Sequence, residues 1–349
     1  MTTRRRPTMR DVAEAAGVSL KTVSRVVNRE PGVTDELEGK VREAIADLGY
    51  QPDDRARFLR RTAPSSKSLG FVQVDVANPF FAAILRGLED AARARGSLVL
   101  AGSSDGVPER EEALVRSFIA RRVDGLVISS CHPDLAYLTA ELQHGTPVVF
   151  VDLQPATGVG DLIHTDHRGG AIAATRHLID HGHRRIAFLG DALRFWSAAQ
   201  RRQGFVDAMG EARLDTPWIL AGLELPEQAE AATETLLRSD QPPTALFTAQ
   251  NYVTIGALRA LHRLGLQHRV AMVGFDQVEL SDLVDPPISI VPQDPAMLGR
   301  LAGERIYARL QGQDTPPGPV TLPTSVVARG SGELAPPEDQ ADDPSGDRG

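Results

Sequence analysis

The stretch "TMRDVAEAAGVSLKTVSRVVN", Thr8 to Asn28, carries two helix-start signals with only a tight turn between the helices they imply. Thr8 followed by Asp11 is a hydroxyl cap whose N3 carboxylate can reach back to it, and it leads into Val12, Ala13 and Ala16 at helical spacing. Gly17 stops that helix. Ser19 caps the next, and Val18 before it can pack on Val23 as a hydrophobic staple, so the turn between them is rigid. In the second helix Val23, Val26 and Val27 share one face and leave Leu20, Lys21, Ser24, Arg25 and Asn28 on the others. That outward set is short, polar and basic. It suits insertion into a DNA major groove, where Arg and Lys read guanine, Asn reads adenine and apolar groups touch thymine methyls. On these two helices alone, an ordinary helical hairpin with a solvated basic face fits equally well.

Thr34 opens a third helix, whose Leu37, Val41, Ile45 and Leu48 form a single stripe ending at Gly49 and Pro52. Three amphipathic helices can close a small core. The segments "DVAEAAGVS", "TVSRVVN" and "VREAIADLGYQP" resemble, at the same spacing, the DNA-binding headpiece of the lactose-repressor (LacI/GalR) family of bacterial transcription regulators. The resemblance continues through "ARFLRR" and over nearly the whole chain. It implies a headpiece over residues 1–52 that reads double-stranded DNA through Thr8, Ser19, Leu20, Lys21, Thr22, Ser24, Arg25 and Asn28.

Charge placement agrees. Residues 1–29 hold seven Lys or Arg against Asp11 and Glu14, a balance of +5 in a chain whose net charge is −8, so the remainder carries −13. A basic patch on an acidic body points to phosphate contact by that patch only. With 349 residues and 42% hydrophobic content, two or three domains are expected. The lone cysteine, Cys131, excludes an intramolecular disulfide, and the N-terminus shows no apolar run for secretion or membrane insertion. A cytoplasmic protein with no membrane partner is expected.

Residues 53–68 read as hinge and linker. Asp54 to Arg60 is too short to be a stable helix alone, because nucleation is costly. The resemblance implies a hinge helix, paired between two subunits, that pushes Leu59 into the minor groove and kinks the duplex, with Arg57 and Arg60 on phosphates. Asp53 and Asp54 depart from the family's more frequent Asn and Arg.

From Leu69 the pattern alternates strand and helix. Apolar runs at "LGFVQVDV", "SLVLAGS", "VDGLVISS" and "PVVFVD" are repeated downstream by "RIAFLGD", "TALFTAQ" and "RVAMVGFD". This is α/β with parallel sheets. The two sets, with returning segments at "ISIVPQD" and "TLPTSVVA", fit the two-lobed periplasmic-binding-protein-like (type I) core that the resemblance implies over residues 69–335. The acidic, Pro-rich residues 336–349 form a tail with nothing to bury, and no leucine heptads occur there. Since the family's tetramer-forming member carries such heptads, the resemblance implies a homodimer here, on a palindromic operator.

Ligands in open α/β sheets sit beyond the carboxyl ends of strands. Those ends offer Asn78, Phe80 and Phe81 in "ANPFF", Asp152 in "FVDLQ", Trp196 and Arg201 in "FWSAAQR", Gln250, Asp276 in "GFD" and Gln293 in "PQD". Carboxylate, amide and guanidinium groups fix hydroxyls while an aromatic face covers a sugar ring, so the expected effector is a sugar or a derivative. The resemblance implies Arg201 and Asp276 as main contacts, against a salt bridge within one lobe; Phe81 fits core as well as pocket. Leu153 replaces a frequent Arg of the family, and Gln250-Asn251 a frequent Asn-Asp pair.

Enzymatic readings fare poorly. "GVGDLI" lacks the third glycine of a dinucleotide loop and lies between no clear strand and helix, and neither GxxxxGK[ST] nor GxSxG occurs. "HGH" at His181 to His183 reads as a helix-to-strand turn with imidazoles facing solvent or capping carbonyls, since no second Cys or His cluster completes a metal site. Neither metal nor cofactor is expected. The reading is a DNA-binding transcriptional regulator, a repressor controlled by a small molecule held between two lobes. The alternative is a sugar-binding or sugar-processing protein of the same core fold without DNA regulation, which would have no use for Leu20, Lys21 and Arg25 on an exposed helix.

Overall fold

The computed structural model describes residues 7–27, 30–48, 50, 66–154, 160–313 and 318–337, in two compact units that divide between residues 65 and 66. In the first unit the caps act as their spacing dictates. Helix α1 (Met9–Ala16) starts where the Thr8 amide donates to Asp11 Oδ2 at 2.6 Å and the Asp11 amide donates to Thr8 Oγ1 at 3.4 Å. It ends at Gly17 with φ 66°, a left-handed conformation natural to glycine. Helix α2 (Leu20–Val27) begins where Ser19 Oγ accepts from the Thr22 amide at 3.1 Å. Val12, Val23, Val41, Ala44 and Tyr50 are buried together, and Val18, Val26, Val27 and Ile45 pack around them.

Helix α3 (Asp35–Leu48) departs from the single expected stripe. Val41 and Ala44 are buried and Leu37 and Ile45 half-buried, but Leu48 is 36% exposed. The fourteen-residue helix outruns its two eight-residue partners, so its last turn overhangs and Tyr50 closes the core instead.

The second unit holds two parallel sheets. Strands β1 (Ser68–Gln73), β2 (Leu98–Ser103), β3 (Gly125–Ile128), β4 (Val148–Val151) and β5 (Asp161–Thr165) join β11 (Pro319–Leu322) in the order β11-β5-β4-β3-β1-β2. Strands β6 (Ile186–Leu189), β7 (Ile219–Leu220), β8 (Ala245–Thr248), β9 (Ala271–Phe275) and β10 (Ser289–Val291) lie in the order β10-β9-β8-β6-β7. Registers such as Phe71↔Val127 and Phe188↔Phe247 pair the apolar runs. Strands β3, β4, β6, β8 and β9 are buried at every position, as parallel strands must be when helices cover both faces.

On the first sheet α4 (Pro79–Arg93) and α11 (Pro295–Leu310) cover one face through Phe81, Ile84, Leu88, Leu298, Ala302 and Ile306. Helices α5 (Pro108–Ala120) and α6 (Thr139–Gln143) lie in the chain between strands of the other face, where Val115 and Phe118 pack on Leu126 and Phe150. On the second sheet α7 (His167–Asp180) and α8 (Trp196–Glu211) bury Leu178, Phe205 and Met209 against Phe188, Phe247 and Phe275. Helices α9 (Pro226–Leu237) and α10 (Asn251–Leu264) cover the opposite face with Leu236, Val253 and Leu261. Helices α4 and α11 approach so closely that a Cβ on Gly299 would stand 1.9 Å from the Ile84 carbonyl oxygen, and one on Gly87 1.9 Å from that of Ala296.

Two strands escape the apolar runs. Strand β5 is "DLIHT", in the stretch read above as an incomplete dinucleotide loop, and its buried Asp161 is held by Arg305 at 2.8 Å and Arg309 at 2.9 and 3.0 Å. Ions supplied by a distant helix let a polar residue begin a buried strand. Strand β7 is two residues at an edge, too short for any periodicity. The "HGH" turn does cap carbonyls: His181 Nδ1 lies 2.7 Å from the His177 oxygen and His183 Nε2 2.8 Å from that of Leu334. His183 is fully buried rather than solvated.

The chain passes between the sheets three times. It leaves β5 for α7 at Asp166, leaves β10 for α11 at Pro292 to Asp294, and leaves β11 to bridge Val327 with Ile290. The passages support one another, for the Asp166 amide donates to the Leu322 carbonyl at 2.9 Å. Three covalent crossings at one edge define two lobes, and the carboxyl ends of β1, β4, β6, β8 and β9 meet the space between them.

Candidate functional site

In the first unit the second helix of the pair keeps its outward set free of the core. Leu20 is 42% exposed, Lys21 and Ser19 are exposed, and Thr22, Ser24 and Arg25 are half-buried. Thr8 is exposed but engaged with Asp11, and Ser19 and Thr22 share a hydroxyl contact of 2.9 Å. Asn28, Arg57 and Leu59, with Asp53, Asp54 and Arg60, lie outside the described residues.

In the second unit a cavity of about 240 Å³ separates the lobes. Its lining includes Asn78, Phe80, Phe81, Asp152, Arg201, Gln250, Asp276 and Gln293, so eight of the nine residues picked out from strand ends meet there. Trp196 is the exception and a correction. Its indole stands edge-on to His164 and His167, with ring centroids 5.1 and 5.7 Å away, while Phe195 and Ser197 on either side line the cavity. Adjacent residues at a helix start point in different directions, and the tryptophan turned toward the crossing at β5.

Each lobe contributes a carboxylate at the end of its fourth strand. Asp152 follows β4 with φ 65°, and Asp276 follows β9 with φ 75°. The Asp152 amide donates to Ile163 and the Asp276 amide to Val291, both at 2.9 Å, which holds each residue in its left-handed turn. Asp276 Oδ1 accepts from Gln293 Nε2 at 2.5 Å and Oδ2 from the Asn251 amide at 3.2 Å. Asp152 Oδ1 lies 3.3 Å from His167 Nε2 without hydrogen-bond alignment, and neither atom has another partner among the described residues.

Arg201, on α8, is 3% exposed, and its guanidinium lies 5.0 Å from the Phe275 ring centroid. Its ion-pair partner is Asp191, at 3.5 Å in the same lobe, so the salt-bridge alternative is present in the structure and coexists with a place in the cavity wall. Burial pushes the Asp191 and Asp276 carboxyls above their ordinary range, opposed by Arg201.

Between the lobes, Asn78 and Asn251 exchange amide hydrogen bonds: Asn251 Nδ2 donates to Asn78 Oδ1 at 2.8 Å, and Asn78 Nδ2 to Asn251 Oδ1 at 3.3 Å. Tyr252 Oη donates to Asp75 Oδ2 at 3.3 Å, and burial with the nearby Asp75 charge pushes the phenol up to about 12. Gln250 spends its amide oxygen capping α10, accepting from Tyr252 and Val253 at 2.7 and 3.2 Å. Phe80 and Phe81 meet edge to face at 5.3 Å, with Phe81 also in the core of its lobe. Sequence reasoning missed Asp75, Asp105, Asp191, Leu225 and Tyr252 in the wall. The signal for Asp191 was available, since "RIAFLGD" ends on it. Glu224 is also in the wall, where a bidentate contact from Arg194 at 2.7 and 2.8 Å holds its carboxyl below the usual range.

Among the described residues no group of three or more His, Cys, Asp or Glu side chains could hold a metal ion, and no helix is long and apolar enough to cross a membrane. Cys131 is no reactive thiol: burial and the neighbouring Glu111 push it up to about 12.

Residues 8–53 match the family described as bacterial regulatory proteins, lacI family, and residues 175–332 match the periplasmic binding protein-like domain. The chain is 30% identical over 332 residues to the HTH-type transcriptional repressor PurR of Mannheimia succiniciproducens, covering 93% of this chain and 98% of that one. It is 31% identical over 308 residues to the ribose operon repressor of Haemophilus influenzae, covering 87% and 92%. Among solved structures, the lac repressor dimer bound to operator and the anti-inducer ONPF superposes with a TM-score of 0.82 at 29% identity, covering 95% of this chain and all of that one.

Proposed function

Because the chain belongs to the lacI family of bacterial regulatory proteins, and is accordingly a DNA-binding repressor rather than an enzyme, we propose that it binds a palindromic operator as a homodimer under the control of a sugar or sugar-like effector in the cavity between its lobes. The observation that carries this reading is the coexistence in one chain of two kinds of surface. Leu20 and Lys21 stand exposed on a helix fixed by its own caps, and a walled polar cavity lies beside three inter-lobe crossings. A ligand-binding protein without DNA has no use for the first.

We assign residues 1–52 to the headpiece, 53–68 to hinge and linker, 69–335 to the effector-binding and dimerisation core and 336–349 to a tail, in a cytoplasmic protein. Thr8, Ser19, Leu20, Lys21, Thr22, Ser24, Arg25 and Asn28 face DNA, with Arg57 and Leu59 at the operator centre. Asn78, Phe80, Phe81, Asp152, Arg201, Gln250, Asp276 and Gln293 form the effector wall. The related dimer seen on its operator and the related repressor named for a ribose operon support the dimer, the operator and the sugar class. Control follows from differential affinity: a ligand touching both lobes favours one arrangement of them, and in a dimer that arrangement sets the separation of the paired hinges.

The test is operator binding by fluorescence anisotropy, using DNA flanking the chain's own gene, with and without a panel of sugars and polyols. Tight binding to one palindrome, changed at least tenfold by one compound, is expected. Equal affinity for random and palindromic DNA would refute the reading.

A further inference from the structure

Among the described residues six carboxylates line the cavity, Asp75, Asp105, Asp152, Asp191, Glu224 and Asp276, against one cationic lining residue, Arg201. Two of the six are neutralised from outside the wall. Glu224 is gripped by Arg194 at 2.7 and 2.8 Å, and Asp105 pairs with Arg110. The others are not. Among the described residues Asp75 receives only the Ala77 amide and the Tyr252 hydroxyl; Asp152 and Asp276 are 5% and 6% exposed; Asp191 shares Arg201. Three deeply placed carboxyl groups therefore line one cavity whose lining guanidinium, Arg201, is already paired with Asp191.

A second observation concerns hydrogen bonds. Among the described residues, Asp152 Oδ1 and Gln293 Oε1 on the wall are buried acceptors without a donor, whereas the wall's corresponding orphan donor is Arg201 Nε. Such a wall asks an occupant for protons and positive charge. An ammonium brings three donors, no acceptor and a positive charge, and the aromatic rings of Phe80 and Tyr252 suit a ring or cation beside it. A phosphate or carboxylate would set a further negative charge beside Asp152, Asp191 and Asp276.

We infer that the effector is a hydroxylated amine of monosaccharide size, an amino sugar or close analogue, whose ammonium sits against Asp152, Asp191 and Asp276. This rests on the cavity being the effector site. It narrows the sugar class by charge.

The experiment uses the full-length protein and calorimetric titration near neutral pH at matched ionic strength. The probes are glucosamine, galactosamine and mannosamine, each beside its neutral parent sugar and its N-acetyl form. At least one amine should bind tenfold or more tighter than both neutral counterparts, and Asp152→Asn should erase most of that ratio. Asparagine tolerates the left-handed φ at this position, so the variant keeps its turn. A neutral or N-acetylated sugar binding as tightly as every amine, or no amine binding at all, would overturn the inference. Operator affinity measured alongside separates the two readings. An amine that binds without changing operator affinity supports the charge argument while sinking the regulatory role. A neutral sugar that binds tightly and changes operator affinity does the reverse.

Discussion

Arg201→Ala strands a carboxylate, and the structure gives the size of the effect. Arg201 and Asp191 are 3.5 Å apart, with their side chains 4% and 13% exposed. At that separation and an effective dielectric of about 20, the attraction is about 5 kcal/mol. Removing one partner of a buried pair costs roughly 3–5 kcal/mol, because the survivor stays desolvated. With each kcal/mol moving the midpoint by about 2–4 °C in a domain of this size, a fall on the order of 10 °C is expected. The fall depends on pH. Burial raises the Asp191 and Asp276 carboxyls and Arg201 opposes the rise, so its removal lifts both further. A carboxyl whose native value lies above its unfolded value of about 3.9 holds more protons when folded, so the native state gains stability as pH falls through the raised value. The variant should therefore lose more stability at a mildly alkaline pH than at a mildly acidic one. Urea denaturation followed by tryptophan fluorescence reads the correct lobe, since the chain's two tryptophans, Trp196 and Trp218, both belong to the second. Adding Asp191→Asn to the variant should restore stability at the higher pH. Equal losses at both pH values, or no rescue by the second change, would refute the charge argument for this pair.

In the same variant, operator affinity should no longer respond to effector, measured by anisotropy under conditions where the variant is folded; a full parental response would remove Arg201 from the ligand wall. Exchanging Leu20 and Lys21 should redirect operator preference, each good base contact being worth about 1–3 kcal/mol, with helicity by circular dichroism unchanged; uniform weakening on every sequence would count against groove contact. Leu59→Ala should reduce operator bending and specific binding but leave weak, salt-sensitive binding to random DNA, and an unchanged bend angle in a circular-permutation gel assay would exclude it from the kink. Gly299→Ala should destabilise the first lobe by about 3 kcal/mol through overpacking, because its Cβ meets backbone on α4 that no rotamer can move aside; an unchanged thermal midpoint would show that the helices separate freely.

What the sequence determined is what acts over a few residues. Thr8 with Asp11, Gly17 and Ser19 with Thr22 are partners within one helical turn, so their spacing alone specified where α1 and α2 begin and that the turn between them is tight. Apolar runs such as "LVIS" and "VVFV" marked buried parallel strands, and the strand-end rule led to eight wall residues. Trp196 escaped that logic because neighbours on a helix diverge, and which of Phe195, Trp196 and Ser197 faces the cavity depends on how α8 lies on its sheet. Strand β5 escaped because Asp161 becomes tolerable in a buried strand only through Arg305 and Arg309 on a helix 144 and 148 residues later. Only the tertiary structure decided the cavity's charge and its closure. Asn78 and Asn251 meet across 173 residues, and Asp191 becomes a wall residue sharing one guanidinium with Asp276 only when two lobes and three crossings bring those positions together. Hydrogen-bond caps and apolar periodicity are local properties of a chain, whereas desolvation and Coulomb coupling depend on which distant groups share the same low-dielectric space.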